Sequence, residues 1–295
     1  MIIISGTTSF GMGLDLTEDE KCAKLKQVGY DGVDYCLMGN YTCDMWKLSD
    51  EDLKKSMQAD RDRYQAHGLK VLQSHSPMDA YWGNSPETKF ARWDAQIQAI
   101  KACSFLGCPY IVIHPIIPPE RIGKRGKEIA KEINMEFFSY LRPYLEEYNV
   151  MAAIENVFVQ HPITRCLAET TCSKADELID YIDTLGNDRF CACLDVGHAV
   201  LTRQDPVEMI YALGHRLRAT HMHDNDYIHD CHYMPGLGKL DWWSIGKALN
   251  DIGYSDAFNY EADISYVGLG QFQEKISLSL LSVYAEMAKA IITVK

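Results

Sequence analysis

The densest group of metal-binding residue types in this chain is the twelve-residue stretch HMHDNDYIHDCH, residues 221–232. It contains four of the ten histidines of the chain, together with three aspartates. Imidazole and carboxylate groups bind divalent cations, and they also supply and remove protons in catalysis. Both residue types are equally ordinary in solvated loops, so the stretch predicts a metal site only if other elements bring further ligands to it.

The rest of the chain predicts a regular series of strands and helices. Eight short strand-forming runs alternate with longer amphipathic segments, and they occupy residues 2–6, 32–36, 70–75, 110–115, 150–156, 190–196, 218–223 and 258–263. Alternating strands and helices form a parallel sheet, and eight such units close a barrel. We therefore predict an α/β protein, a single (β/α)8 TIM barrel over residues 1–295. An open doubly wound sheet is the alternative, but SGTTSFGMG after the first strand matches a glycine-rich phosphate turn poorly.

The segments between these strands carry helix start and stop signals. In the segment after the second strand, Ser49 is predicted to cap a helix that Gly68 terminates. Further helices are predicted over residues 85–107, 127–149, 174–186 and 241–253, and a long final helix from about Gln273.

Six consecutive predicted strands end on a residue that can bind a metal ion. From the third strand to the eighth these residues are His75, His114, Glu155, Asp195, His223 and Glu261. The carboxyl ends of all strands lie at one rim of a TIM barrel, so the six side chains should meet there. Any one of them alone is more often a hydrogen-bonded structural residue, but six in series predict a metal centre at the barrel mouth.

The alternation of side chains along a strand indicates which of His221 and His223 lies nearer the barrel mouth. His221 and His223 share a face and should both point into the barrel, with His223 nearer the mouth. His221 is predicted to fill the core one layer lower. With the strand-terminal carboxylates, His223 is predicted to form an oxygen-rich metal-binding set, Glu155, Asp195, His223 and Glu261. Carboxylates favour Mn²⁺ or Mg²⁺, whereas the imidazole also admits Zn²⁺, Co²⁺ or Fe²⁺.

A second tier of candidate groups surrounds this set. It comprises four imidazoles and one carboxylate, those of His75, His114, His198, Asp230 and His232. These groups either contact substrate and orient the ligands or hold additional zinc-like ions. His229 is predicted to lie outside the centre. Trp82 follows the third strand and is predicted either to form an apolar wall against a substrate ring or to pack against a neighbouring loop.

Glu155 and Glu261 have a further predicted role. They end the fifth and eighth strands and should face each other across the barrel mouth. A carboxylate on each side of a bound sugar can remove a proton from one face and return it to the other, while a metal ion stabilises the developing charge. Pure metal ligation is an equal alternative for either glutamate.

Four motifs, AIENV, CLDVGHA, MHDND…DCHYMPGLGKLDW and NYEAD, resemble those of the xylose isomerase-like barrel superfamily. It includes sugar phosphate isomerases and epimerases, inosose dehydratases, ketose 3-epimerases and endonuclease IV. The resemblance covers nearly the whole chain. It implies a divalent-metal-dependent isomerase or epimerase that acts on a sugar, sugar phosphate or keto-polyol through an enediolate. A lyase or dehydratase acting on a keto-sugar or keto-inositol is an alternative within the same superfamily.

The resemblance to the ketose epimerases also implies residue roles. A single Mn²⁺-type ion is held there by residues that match Glu155, Asp195, His223 and Glu261. The two glutamates exchange the proton, and a histidine matching His198 contacts the substrate. Those enzymes carry a substrate-binding arginine where this chain has His229, which weighs against 3-epimerisation. Mn²⁺ is thus the expected cofactor, with Zn²⁺, Co²⁺ and Mg²⁺ as alternatives.

The resemblance to endonuclease IV implies a different chemistry. Its three zinc ions are bound by residue types that this chain carries at His75, His114, Glu155, Asp195, His198, His223, Asp230, His232 and Glu261. A trinuclear-zinc phosphodiesterase is therefore the alternative function. The formal charge of −12 and a single small basic cluster, residues 121–127, argue against a nucleic-acid partner and for a small carbohydrate.

Segment lengths and cysteine spacing indicate the cellular context. No apolar run approaches the about 20 residues of a membrane span, and the N-terminus lacks the basic region of a signal peptide. We therefore expect a cytoplasmic protein without a membrane partner. The ten cysteines are scattered without a CxxC pair, which predicts reduced thiols. The formation of a homo-oligomer is left open.

Overall fold

Eight parallel strands form a nearly closed barrel in the computed structural model, which describes residues 1–6, 16–39, 41–78, 80, 86–120, 122–262 and 273–294. In chain order the strands are β1 (Ile2–Gly6), β2 (Gly32–Cys36), β3 (Lys70–His75), β4 (Tyr110–Ile113), β5 (Met151–Glu155), β6 (Phe158–Gln160), β7 (Leu167–Glu169), β8 (Phe190–Asp195), β9 (Leu217–His221) and β10 (Ala257–Tyr260). The barrel order is β10-β1-β2-β3-β4-β5-β8-β9. A parallel bridge between Met222, just after β9, and Tyr260, on β10, joins the two ends of this order. The predicted single TIM barrel is confirmed.

The helices cover the outside of the barrel. They are α1 (Glu18–Val28), α2 (Asp50–Ala66), α3 (Pro86–Phe105), α4 (Gly123–Glu147), α5 (Ala175–Leu185), α6 (Val196–Leu201), α7 (Pro206–Leu213), α8 (Trp242–Asp251) and α9 (Gln273–Ile292). Neighbouring outer helices contact each other around the ring, and α9 packs against both α8 and α1. The predicted cap is confirmed, because the Ser49 hydroxyl accepts a hydrogen bond of 3.1 Å from the Asp52 N–H.

Two apolar layers support the rim of the barrel. The larger lies between the sheet and the helices and includes the fully buried Trp93, Phe137 and Phe258. The smaller fills the barrel interior with Tyr110, Val112, Ala153, Cys191, Cys193 and Ala219. Burying one large apolar side chain contributes roughly 1.5–3 kcal/mol, so the strand ends rest on a firmly packed base.

Three features differ from the sequence-based expectation. β9 ends at His221, two residues before its predicted end, and β4 ends just before His114. An antiparallel hairpin, β6–β7, follows β5, and its strands are too short to show a pattern in the sequence. Two helices rather than one, α6 and α7, connect β8 to β9. The ten cysteines all lie in the described part of the chain, and no disulfide joins any two of them, as predicted.

Candidate metal centre

Three carboxylates and one imidazole converge at the carboxyl ends of the barrel strands. Glu155 ends β5, Asp195 ends β8, His221 ends β9 and Glu261 follows β10. Each of the four residues offers a ligand atom within 4.8 Å of the others. Asp195 pairs with His221 in the register of β8 and β9, so both side chains leave the sheet at the same level of the rim.

All three carboxylates have an oxygen within 4 Å of Nδ1 of His221. It lies 3.1 Å from Oε1 of Glu155, 2.9 Å from Oε2 of Glu261 and 3.9 Å from Oδ2 of Asp195. Glu155, Asp195 and His221 are buried, whereas 23% of the Glu261 side chain is exposed towards the cavity above. Buried carboxylates gathered around one imidazole nitrogen require a positive charge, and a divalent cation supplies it. The donor set therefore fits a metal ion.

His221, rather than the predicted His223, lies in one potential ligand group with the three carboxylates. Both histidines point inwards, but β9 ends at His221, and His223, two residues further on, contacts Asp195 alone of the three. Nε2 of His223 lies 3.0 Å from both oxygens of Asp195, and its ring stacks on His232 at 4.1 Å. Gly197 makes room for this ring, since a Cβ there would lie 2.0 Å from Cε1 of His223.

A second group of imidazoles surrounds the other oxygen of Glu155. Oε2 of this carboxylate lies 2.9 Å from Nε2 of His114 and 3.4 Å from Nε2 of His75. The two imidazole nitrogens are 3.2 Å apart, and the ring of His75 stacks on His221 with a centroid separation of 5.6 Å. His75, Glu155 and His221 form a potential metal-binding group by themselves.

A third group lies on the outer side of the rim and comprises His198, His223, Asp230 and His232. Oδ2 of Asp230 lies 3.3 Å from Nε2 of His232 and 3.8 Å from Nε2 of His198. The backbone N–H of His198 donates a hydrogen bond of 2.6 Å to Oδ1 of Asp195, which joins this group to the first one. All the predicted second-tier residues are thus assembled at one rim.

The ionisation of the innermost groups reflects their mutual charges. Burial would raise the pKa of Glu155, but the positive charges of His221 and His114 outweigh it and hold this pKa well below its usual range. Burial would lower the pKa of His221, but the adjacent Cys193 thiol and the negative charges of Glu261 and Glu155 hold it well above its usual range. Without a metal, these two shifts favour an ionised Glu155 beside a protonated His221.

The outer group follows the same pattern. Burial opposes a charged imidazole at His198, but Asp195 and Asp230 raise its pKa to about 10. Asp230 likewise raises the pKa of His232 to about 9, again against the effect of burial. The pKa of Asp230 is lowered far below its ordinary value, because hydrogen bonds to His198 and His232 outweigh the effect of burial.

A buried carboxylate that the sequence does not reveal lies behind His221. Asp34, on β2, is 5% exposed, and its Oδ2 accepts hydrogen bonds from the amides of Gln73 at 2.8 Å and Asn259 at 2.7 Å. The same oxygen lies 3.7 Å from Nε2 of His221. A carboxylate that accepts the second ring N–H of a metal-binding histidine orients the ring and raises its basicity, and Asp34 is the carboxylate placed nearest to do so. The only sequence signal is a charged residue inside the apolar run GVDYC.

A second buried aspartate organises the loop after β9. Asp224 accepts hydrogen bonds from the backbone N–H groups of Gly236 at 2.9 Å and Leu240 at 3.0 Å and from the indole N–H of Trp242 at 2.9 Å. Gly238 lets the loop close tightly around it, since a Cβ there would lie 2.2 Å from Oδ1 of Asp224. These contacts explain why "PGLGKLDW" follows the histidine-rich stretch.

The centre opens into a cavity of about 280 Å³. Met38, Met78 and Phe158 supply apolar walls, and the imidazoles and carboxylates form the polar remainder. His229 does not line this cavity and pairs with Asp226 at 2.8 Å. Trp82, the predicted substrate wall, lies outside the described residues.

The chain belongs to the xylose isomerase-like TIM barrel family, whose model matches residues 22–277. The D-psicose 3-epimerase structure determined in the presence of D-fructose superimposes with a TM-score of 0.74 and covers 99% of each chain at 14% identity. An IOLI protein with a bound zinc atom superimposes with a TM-score of 0.71 at 19% identity, over 99% of this chain and 98% of that one. These two likenesses show the fold.

Curated relatives are similar over part of the chain. An inosose isomerase from Bacillus licheniformis is 26% identical over 168 residues, 55% of this chain and 56% of that protein. A D-psicose 3-epimerase from Enterocloster bolteae is 32% identical over 82 residues, 28% of this chain and 26% of that protein. The chain spans about half the length of the first curated relatives it matches. Among the described helices, none has the length and apolarity to cross a bilayer.

Proposed function

We propose that this protein is a divalent-metal-dependent isomerase or epimerase that acts on a sugar, sugar phosphate or keto-polyol through an enediolate. The observation that carries the proposal is the convergence of three carboxylates on the imidazole of His221 at the functional rim of the barrel. A cavity of about 280 Å³ above them has room for one monosaccharide. The inosose isomerase and D-psicose 3-epimerase among the relatives support a substrate of this class.

We assign the first metal ion to Glu155, Asp195, His221 and Glu261. When bound, a divalent cation polarises a substrate carbonyl and stabilises charge that develops on its oxygen. The assignment replaces His223 of the sequence-based set by His221, because the other three ligands lie around His221. His223 then holds Asp195 in place through its two contacts of 3.0 Å.

The two glutamates are the proposed proton carriers. Oε1 of Glu155 lies 3.1 Å from Nδ1 of His221, whereas the other oxygen, Oε2, lies 2.9 Å from Nε2 of His114. Oε2 is therefore the oxygen that we expect to accept a proton. A proton accepted on Oε2 can be held between Glu155 and His114. Glu261 is the ligand most open to the cavity, so it reaches a substrate from a different strand. One glutamate then removes a proton from the carbon beside the carbonyl, and the other returns a proton. The result is either inversion of that carbon or transfer of the carbonyl to it.

Substitution of either glutamate tests this function. Glu155→Gln and Glu261→Gln should each lower deuterium incorporation from solvent into the keto-sugar that the wild type exchanges by at least about 100-fold, since general acid–base catalysis contributes about that much. Glu208→Gln, on the outer helix α7, is the matched control and should exchange normally. Wild-type exchange by either site variant would show that the proton is carried elsewhere. If the purified protein binds none of Mn²⁺, Co²⁺ and Zn²⁺, the proposed metal-dependent function is wrong.

A second function is favoured by a specific observation, the assembly of three adjoining ligand groups at one rim. With ions in all of them, the protein would be a trinuclear-zinc phosphodiesterase similar to endonuclease IV. The net charge of −12 favours the sugar enzyme, because a nucleic-acid backbone needs a cationic surface. Three tightly bound zinc ions per chain together with cleavage of abasic DNA would reverse this choice.

A further inference from the structure

A second cleft adjoins the candidate metal centre at Asp230, which lines both cavities. The cleft has a volume of about 490 Å³ and lies between the β6–β7 turn, the end of α6 and the loop after β9. We call it the arginine cleft, because Arg165 and Arg203 line it together with Thr164, Tyr227 and His229. Among the described residues that line it, Asp230 is the one with an acidic side chain, and that carboxylate already contacts His198 and His232.

Backbone conformation sets this cleft apart from the rest of the molecule. Six non-glycine residues among those described have a positive φ, and three of them line the cleft: Arg165 (61°), Arg203 (61°) and Tyr227 (70°). A fourth, His232, lines the adjoining cavity of the centre. Non-glycine residues with a positive φ are strained, and such strain concentrates at functional sites.

Both arginines stand where glycine would be the unstrained choice. Arg203 follows α6, and its N–H donates to the Val200 carbonyl at 3.1 Å, in a helix ending that usually carries glycine. Arg165 closes the β6–β7 turn, where its N–H donates to the His161 carbonyl at 2.9 Å. Any side chain at these two positions therefore costs stability relative to glycine, because its Cβ strains the positive-φ backbone.

The two guanidinium groups also lack carboxylate partners among the described residues. By contrast, Arg142, Arg216 and Arg218 each pair with an aspartate. In the part of the chain that the structure describes, the polar partner of the Arg165 guanidinium is the Gln160 amide oxygen, at 3.4 Å. Beyond Arg203 lies a larger cavity of about 650 Å³, but Asp205 and Asp241 line it, so that cavity does not suit an anion. Positive charge is thus concentrated in the arginine cleft, in a chain of net charge −12.

We propose that the arginine cleft binds a phosphate group of the substrate and that the centre therefore acts on a phosphorylated sugar or polyol. Guanidinium groups match phosphate oxygens with pairs of parallel hydrogen bonds, and two of them balance a phosphate dianion. The Thr164 hydroxyl lines the same cleft and can add a donor. This inference rests on the sugar-converting function proposed above, because it places the phosphate at the end of the substrate remote from the reacting carbonyl.

Binding of inorganic phosphate to the metal-loaded protein tests the cleft without turnover. By calorimetry, Arg165→Gln and Arg203→Gln should each weaken phosphate affinity by about tenfold or more, the effect of one hydrogen bond to a charged group. Arg189→Gln is the matched control, since that guanidinium also has only an amide partner, Asn149 at 3.1 Å, and precedes β8 at the opposite end of the barrel. Arg203→Gly should lose affinity equally while its Tm rises, because glycine accepts the positive φ.

Two results would overturn the inference. One is phosphate affinity unchanged in the double variant Arg165→Gln/Arg203→Gln and abolished by chelation, which would mean that phosphate binds the metal alone. The other is deuterium exchange into unphosphorylated ketoses only, unaffected by the arginine variants, which would leave the proposed function standing. Exchange into ketose phosphates, with KM raised and kcat held in the variants, supports both. Arginine-dependent phosphate binding with no exchange into any sugar supports the cleft and contradicts the sugar function.

Discussion

At the scale of single residues, the tautomer and tilt of the His221 ring decide how well the centre holds a cation. Nδ1 faces Glu155 and Glu261, so Nε2 must carry the proton when Nδ1 binds a metal. Asp34 is the carboxylate nearest to Nε2, at 3.7 Å, and amides of Gln73 and Asn259 hold it there. We therefore expect Asp34 to position the His221 ring when Nδ1 binds a metal.

Asp34→Asn should weaken Co²⁺ binding by about 10–100-fold and change the visible spectrum of the bound Co²⁺, because the ring loses the group that orients it. Titration of Co²⁺ into the metal-free protein measures both effects. Thr220→Val is the matched control: its hydroxyl donates to the Ala257 carbonyl at 2.8 Å in the same buried layer. A loss of thermal stability in both variants with no change in Co²⁺ affinity would assign Asp34 a purely structural role.

At the scale of elements, the loop between β9 and α8 behaves as a unit built around Asp224. Its carboxylate binds Gly236, Leu240 and Trp242, which lie after the segment that carries Asp230 and His232. The same loop approaches β10 where Nδ1 of His232 lies 2.8 Å from the Glu261 carbonyl. The outer ligand group therefore depends on one buried acceptor that is not itself a ligand.

Asp224→Asn should destabilise the protein by about 2–3 kcal/mol, since it exchanges a buried charged acceptor for an amide and leaves a donor unpaired. It should also expose the loop to limited proteolysis between residues 226 and 236. Asp226→Asn is the control in the same loop, because that carboxylate contacts only its own turn, at Ile228 and His229. Equal unfolding free energies for the two variants would argue against Asp224 as the organising group.

At the scale of the whole molecule, the barrel and its rim were predictable because each strand is short, buried and followed by a polar group. The position of His221, rather than His223, among the three carboxylates was not, since parity gives the face of a strand but not its end. That end is set where Met222 bridges to Tyr260, a contact between distant segments. Asp34 escaped prediction for the same reason, as its partners Gln73, Asn259 and His221 come from three other strands. The predicted roles of Glu155 and Glu261 remain predictions.

The charge balance of the entire rim predicts how stability varies with pH in metal-free protein. The pKa values of His198 and His232, about 10 and about 9, lie above their ordinary 6.5, so their stabilising contribution is complete below pH 6.5 and is lost as the pH rises through 9 to 10. The pKa of Glu261, about 2, lies below its ordinary 4.5, so its contribution is lost only as the pH falls towards 2. The Tm of metal-free protein should therefore be highest between pH 4.5 and 6.5.

Bound metal should reverse the alkaline part of this dependence. A cation replaces protons on the imidazoles, and fewer protons compete with it as the pH rises. The difference in Tm between Mn²⁺-loaded and chelator-treated protein should therefore grow from pH 6 to pH 9, as measured by scanning calorimetry. His67→Gln, which removes an imidazole beside Asp19 and outside the centre, should leave this difference unchanged. A difference that stays constant across this pH range would mean that the metal does not displace the protons of the rim.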